Sequence, residues 1–390
     1  MSSDSRPGLL SRDFILLSCL AVCSNSHIAV FYCFEQWLEG VGVSPNWRGV
    51  LISAMFLMVL LGRVPLSLLL LRGGRLATLA CSTLILIGVM LAYPFVRGAY
   101  LAEIVLLLRV VQGMAVAVQS SCVVSVLVSC IPPGQSARGF ALFSLTILLP
   151  YSIIPAAAEH ILLPLFGGEP YLFASTAVLG IISLLMMIPL APRLKTSEMV
   201  PDLSGLWRAM THSGLMYVYL SSLLFSIMTI LAIFFMKGLC SVTGARPEWF
   251  FTLYTVTIIL VRVLGNSRLD ALPHYRVIFV CAAGLALCML GYAWGPLWAF
   301  IPITLAYGVG LGLLYPMLAA LVYDRSTPAT RSVNSNAMMC AFDASGTLAP
   351  LLGGLVVHAG FGYRGVFVVT AVSITLCGLC MLIDKVRNRN

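Results

Sequence analysis

Apolar positions run in twelve long stretches along this chain, separated by short polar turns. Spans of about 13 to 36, 49 to 71, 76 to 97, 101 to 131, 139 to 164 and 170 to 192 are followed by about 213 to 238, 248 to 270, 275 to 294, 297 to 323, 336 to 358 and 363 to 384. Each reaches the roughly 20 residues that an α-helix needs to cross hydrocarbon. Barrel strands would instead alternate over segments of about ten residues. The pattern therefore predicts an all-α integral membrane protein with twelve transmembrane helices.

The second six stretches echo the first six. Gly42-Val43-Ser44-Pro45-Asn46-Trp47, before the second stretch, returns as Gly244-Ala245-Arg246-Pro247-Glu248-Trp249 before the eighth. Arg63 matches Arg262, Pro155 matches Pro350, and Phe166-Gly167 matches Phe361-Gly362. The offset drifts from 202 to 195 residues, as small deletions in successive loops would produce. An even helix number per half gives both halves one orientation, so the expected architecture is two parallel-repeat six-helix bundles. The boundaries expected are 1–192 for the first bundle, 193–212 for a cytoplasmic linker and 213–390 for the second.

Composition agrees: hydrophobic residues make up 60% of the 390 residues and charged residues 9%, against roughly a quarter charged in soluble domains. The formal charge of +9 does not point to nucleic acid. With the N-terminus in the cytoplasm, most Lys and Arg fall at cytoplasmic ends and only Arg48, Arg97, Arg246 and Arg364 fall outside, which is the positive-inside asymmetry. Both termini are then expected in the cytoplasm, with the chain as a multi-pass protein of the cell inner membrane. The lipoprotein-like Leu20-Ala21-Val22-Cys23 is set aside, because Val22 is bulky and the apolar run continues past it. The twelve cysteines lie almost entirely in predicted helices, where Cys packs as a small apolar residue.

Polar groups inside spans are costly, and each is a candidate for function. On helix four, Arg109, Gln112 and Gln119 share one face, which suits binding or coupling; a buried ion pair fixing helix packing is the competing reading. Asn25 and His27 stand near the middle of helix one, and His27 can titrate in the physiological range or simply pack. Ser222, Ser226 and Thr229 share a face of helix seven. Asn25, His27, Arg109, Gln112, Gln119, Ser222, Ser226 and Thr229 are thus the substrate-binding candidates. Asp343 lies about two turns into helix eleven and heads the proton-coupling candidates, with His27 and Glu159 behind it. Asp324, Arg325 and Arg331 are expected to pair at the cytoplasmic end of helix ten. No phosphate-loop motif, nucleophile–base constellation or zinc spacing occurs, so neither enzyme, cofactor nor metal is expected. Gly308-Val309-Gly310-Leu311-Gly312 reads as close helix packing.

Arg109-Val110-Val111-Gln112-Gly113 on helix four, with Pro132-Pro133-Gly134-Gln135-Ser136-Ala137-Arg138-Gly139 after it, resembles the R-x-x-Q-G signature and following turn of the major facilitator superfamily. The loop after helix two resembles that family's G-x-x-x-D-R-x-G-R-R pattern only at its basic end, Arg72-Gly73-Gly74-Arg75, with Leu71 where the acid belongs. The second-half copy retains an acid at Asp270. The glycine-proline pair of the drug-antiporter helix five is missing around Leu149-Pro150 and Pro155, so the branch stays unresolved. The resemblance implies a secondary transporter that moves a small solute by alternating access, with helices one, four, seven and ten lining a central cavity. It further implies a cytoplasmic gate at Arg63, Arg72, Arg75, Arg138, Arg262, Asp270 and Arg331. Proton coupling, export and a functional monomer are the expectations; an uncoupled facilitator and a non-transporting receptor on the same scaffold remain the alternatives.

Overall fold

The computed structural model describes residues 9–63, 74–157, 161–194 and 214–388. Among them are twelve long helices: α1 (Arg12–Ala29), α2 (Pro45–Arg63), α3 (Arg75–Ala92), α4 (Leu101–Cys130), α5 (Ser136–Ala157), α6 (Ala177–Leu194), α7 (Met216–Thr243), α8 (Pro247–Leu264), α9 (His274–Trp294), α10 (Phe300–Asp324), α11 (Arg331–Val356) and α12 (Gly362–Arg387). Eight stretches of the described residues are long and apolar enough to cross a bilayer, and the last, Arg331–Arg387, contains both α11 and α12. The apolar Trp249–Leu264 is shorter. Arg72 and Glu159, together with nearly all of the expected linker, lie outside the described residues.

The chain divides into two compact units. One comprises Met1–Pro132 and Phe143–Leu206, the other Pro133–Leu142 and Trp207–Asn390. Within the first, α1 packs on α6, α2 and α3 on α4, and α3 on α6; within the second, α7 packs on α12, α8 and α9 on α10, and α9 on α12. These four pairings of the first unit recur in the second shifted by six helices, so the duplication seen in the loop motifs extends to helix neighbours. Glycine makes the tightest of these contacts possible. A Cβ at Gly113 of α4 would strike the Met55 carbonyl of α2, and one at Gly308 of α10 would strike Thr257 and the Tyr254 carbonyl of α8. These two glycines are 195 residues apart and let backbones approach where hydrocarbon supplies no hydrophobic drive between helices.

Each unit also builds an aromatic core. In the first, Tyr93 and Phe173 pack edge to face at 5.3 Å, with Phe31, Phe34 and Trp37 around them. In the second, Tyr292 and Phe367 pack at 6.0 Å beside Phe250 and Tyr307. Helix one reaches its aromatic core by a change of pitch, because α1 gives way to a 3₁₀ turn, Val30–Cys33, and then to the short helix Phe34–Gly40. At the far end of α11, Gly360 and Gly362 take φ of 87° and 62°, a left-handed conformation open to glycine at little steric cost.

Charged clasps join the helix ends near the linker. In the second unit Arg325 donates to the Asp384 carboxylate at 2.7 Å and to the Gly214 carbonyl at 2.9 Å, and the Tyr275 hydroxyl donates to the same carboxylate at 2.6 Å. Asp384 is 1% exposed. Arg325 therefore turns away from its neighbour Asp324, and Arg331 stacks on the Tyr323 ring at 4.2 Å; the expected pairing of these three side chains with one another is replaced by contacts to other helices. In the first unit Arg193 faces Asp13 at 3.9 Å and donates to the Ser129 carbonyl. That pair is exposed and contributes under about 1 kcal/mol.

Asp384→Ala should destabilise the second unit by about 3 kcal/mol, because it strands Arg325 and Tyr275 without their acceptor. Asp384→Asn, which keeps an acceptor for Tyr275, should cost less. Thermal unfolding of the purified protein in detergent reads both, and equal melting temperatures for wild type and Asp384→Ala would show that the clasp does not hold the unit.

Candidate functional site

The helix-four stripe is enclosed within the first unit. Arg109 is 2% exposed, and its guanidinium lies between the Phe31 and Phe34 rings, at 4.7 and 4.6 Å from their centroids. Its Nε donates to the Leu51 carbonyl at 3.2 Å, one Nη to the Ile52 carbonyl at 3.4 Å and the other to Gln112 Oε1 at 2.9 Å. Desolvating a guanidinium costs several kcal/mol. Three acceptors offset that cost, together with cation–π attraction of about 2 kcal/mol once water is excluded.

The bonding continues from there. Gln112 Nε2 donates to the His27 carbonyl at 3.3 Å, and His27 Nδ1 meets Thr176 Oγ1 at 3.2 Å. Thr176 gives its own hydroxyl proton to the Phe173 carbonyl at 2.7 Å, so Nδ1 must be the donor in the bond between them. The other ring nitrogen, Nε2, is buried beside Gly180 with no hydrogen-bond partner among the described residues. Arg109, Gln112, His27 and Thr176 thus form one line tying helix two to helix four, helix four to helix one, and helix one to the start of α6. Gln119 makes a second tie, donating to Thr83 of α3 at 2.8 Å. Asn25 donates to the Thr146 carbonyl of α5 at 3.3 Å and to its own helix at Ala21. Of these first-unit candidates Asn25 is the half-buried one; the rest are buried.

Among the second-unit candidates, Ser222 is buried and donates to the Val218 carbonyl at 2.8 Å. Ser226 bonds Ser345, linking α7 to α11. Thr229 is half-buried and donates back to Phe225. Asp343 is half-buried near the middle of α11, and Asn336, Cys340 and Thr347 fall on the same helical face. Beside it the Phe342 ring packs on Phe225 of α7 at 6.3 Å and on Tyr315 of α10 at 5.6 Å. These aromatic partners carry no polar signal in the sequence and emerge only from the packing, as do Thr176 and Ser345.

The gate candidates separate into two groups. Arg63, Arg75 and Arg262 are buried; Arg262 donates to the Gly312 and Leu311 carbonyls of α10, both at 3.3 Å, and stands over the Tyr315 ring at 5.6 Å. Arg138 and Asp270 meet directly: the Arg138 backbone N–H, in the first turn of α5, donates to Asp270 Oδ1 at 3.1 Å. Burial raises the Asp270 carboxyl above its ordinary range, against the opposing pull of the Arg138 and Ala137 backbone N–H groups. A docked carboxyl with a raised pKa binds a proton more readily than a free one, so docking strengthens as pH falls through that value and weakens above it.

The sequence profile described as Major Facilitator Superfamily matches residues 241–389. No curated protein matches the chain in sequence. Among solved structures, a human organic anion transporter aligns with a TM-score of 0.72 at 14% identity, over 95% of this chain and 99% of its own. A proton:xylose symporter gives 0.76 at 14% identity over 95% and 94%, and a bacterial homologue of the iron transporter ferroportin gives 0.78 at 13% over 96% and 100%. These likenesses establish the fold: all-α, integral to the membrane, with twelve transmembrane helices in two six-helix bundles. Their three different cargoes show that the fold by itself does not specify a substrate.

Arg109→Ala should destabilise the first unit by about 2–4 kcal/mol through the cavity and the stranded Gln112 amide. Arg109→Met, which fills the space between the two rings, should recover much of that loss, since apolar replacements of buried charges are often tolerated. Melting temperatures of the two variants in detergent check the order; Met as damaging as Ala would mean that the charge, and not the packing, carries the stability.

Proposed function

We propose that the chain belongs to the major facilitator superfamily, a reading supported by its fold along its length and by the sequence profile in its second half, and that it is a proton-coupled secondary transporter that moves a small solute by alternating access. The observation that carries the coupling is Asp343, a half-buried carboxyl near the middle of a membrane-spanning helix. Ionised, it needs water, a cation or hydrogen-bond donors; protonated, it needs far less. A group of that kind can take a proton in one state of an alternating cavity and release it in the other. His27 is less suited, because one ring nitrogen is committed to Thr176 and the other is enclosed beside Gly180.

Arg109, Gln112, His27 and Gln119 act, in this reading, as positioning residues that give the first bundle its shape. Solute contact falls to the half-buried groups, Asn25, Thr229 and Asp343. Bundles 1–192 and 213–390, joined by the 193–212 linker with both termini in the cytoplasm, move as the two halves of the carrier. Export is the preferred direction and a monomer the working form. On the cytoplasmic side, Asp270 at the start of α5 acts as a latch: its carboxylate accepts from the first-turn N–H groups that helix geometry leaves unpaired.

Two measurements test this reading. In proteoliposomes, with a solute found by thermal-stabilisation screening, Asp343→Asn should abolish accumulation driven by a pH gradient while preserving counterflow; equal pH-driven accumulation by wild type and Asp343→Asn would remove Asp343 as the coupling group. For the latch, Asp270→Ala should loosen the cytoplasmic end of α5 by about 1 kcal/mol, the scale of a lost helix cap, whereas Asp270→Asn keeps an acceptor and should be nearly neutral. Labelling of a cysteine placed at Arg138 reads the difference, as faster modification in Asp270→Ala only.

A further inference from the structure

Positive charge gathers at the joined ends of α9 and α12 in the second unit. The two helices meet there: the Tyr275 hydroxyl donates to the Asp384 carboxylate at 2.6 Å, and Lys385 Nζ stands over the Phe279 ring at 5.5 Å. The carboxylate at this corner is already spent, since Arg325 and Tyr275 both bond its Oδ2. Arg276 and Arg387 are exposed and Lys385 is half-buried, and none of the three forms an ion pair among the described residues. The corresponding corner of the first unit differs. There Arg193 faces Asp13 and bonds the Ser129 carbonyl, and Arg75 is buried.

The level of these charges in the span identifies what they meet. On α9, Arg276 directly precedes an apolar run that opens at Val277; on α12, Lys385 and Arg387 follow a run that closes at Leu382-Ile383. Both helices therefore leave hydrocarbon at the height of the basic side chains. Further into the span, Val280 of α9 and Leu379 and Ile383 of α12 are exposed apolar surface. A soluble anion would use the cations and leave that surface unused. An anionic phospholipid uses both, with its phosphate among the basic groups and its acyl chains along the helices, because basic residues at helix ends attract anionic headgroups. Lys385 suits this role, since the Phe279 ring holds its ammonium in place and less side-chain freedom is lost when a headgroup binds.

We infer that the α9–α12 corner is a binding site for an anionic diacyl phospholipid, whose phosphate is met by Arg276, Lys385 and Arg387. Lipid binding here is independent of which solute the chain carries and of how transport is coupled.

Dioleoyl phosphatidylglycerol and dioleoyl phosphatidylcholine provide the test, since they share acyl chains and differ in net charge. Titrated into the purified, delipidated full chain in detergent and followed by native mass spectrometry, phosphatidylglycerol should bind roughly tenfold more tightly than phosphatidylcholine. Arg276→Gln combined with Lys385→Gln should remove most of that preference, and Arg276→Lys combined with Lys385→Arg should keep it. Arg246→Gln combined with Arg364→Gln lowers the net charge by the same amount at exposed positions that open α8 and α12, and should leave the preference intact. Should the Arg276 and Lys385 pair fail to fold, as judged by its melting curve, Arg276→Gln with Arg387→Gln decides in its place. Equal affinity for the two lipids, a preference untouched by loss of the basic pair, or an equal loss in the Arg246 and Arg364 pair would each overturn the inference. Displacement of bound phosphatidylglycerol by glycerol 3-phosphate would overturn it as well, since the headgroup alone would then be what is recognised.

Discussion

A polar group inside hydrocarbon has no water to fall back on, and this structure is organised around meeting that demand. Backbone N–H and C=O groups satisfy one another in long helices, and among the buried polar side chains are Arg109, Gln112, His27, Gln119 and Arg262. Each makes a hydrogen bond to a neighbouring helix or its end. The guanidinium of Arg109 takes two carbonyls of α2, the Gln112 amide and two phenyl faces. The Arg262 guanidinium takes two carbonyls of α10 and a tyrosine face. The polar stripe of helix four thus bonds to helices one, two and three.

The two bundles solve the same packing problem with different chemistry. Helix neighbours repeat, the close-approach glycines Gly113 and Gly308 repeat, and Tyr93 and Tyr292 stand 199 residues apart in corresponding aromatic cores. Yet the cation–π brace of the first core is absent from the second, where Tyr307 packs among Phe250, Tyr254 and Tyr292.

Asp270 docks through the backbone: its Oδ1 accepts from the Arg138 N–H at the start of α5. Its partner is the unpaired N–H at the beginning of a helix, available wherever a helix begins. The first-half counterpart, Leu71, cannot act this way, because its side chain has no acceptor. Burial raises the pKa of that second-half acid.

Helix number, helix limits and the internal repeat were legible in the amino-acid sequence because they depend on local quantities: apolar run length, turn composition and the spacing of recurrent motifs. The family resemblance was legible for the same reason, through short contiguous patterns such as Arg109 to Gly113. Hydropathy also located the costly polar residues. What it could not supply was their partners, since Thr176, Ser345, Tyr315 and Asp384 lie scores of residues from the groups they touch or sit beside, and no periodicity links them. Whether a polar side chain is enclosed or open depends on the helices packed against it, which only the tertiary arrangement sets. That is why His27 and Asp343, both mid-span ionisable residues by sequence, come apart in the structure: one is buried beside Gly180 and the other is half-buried.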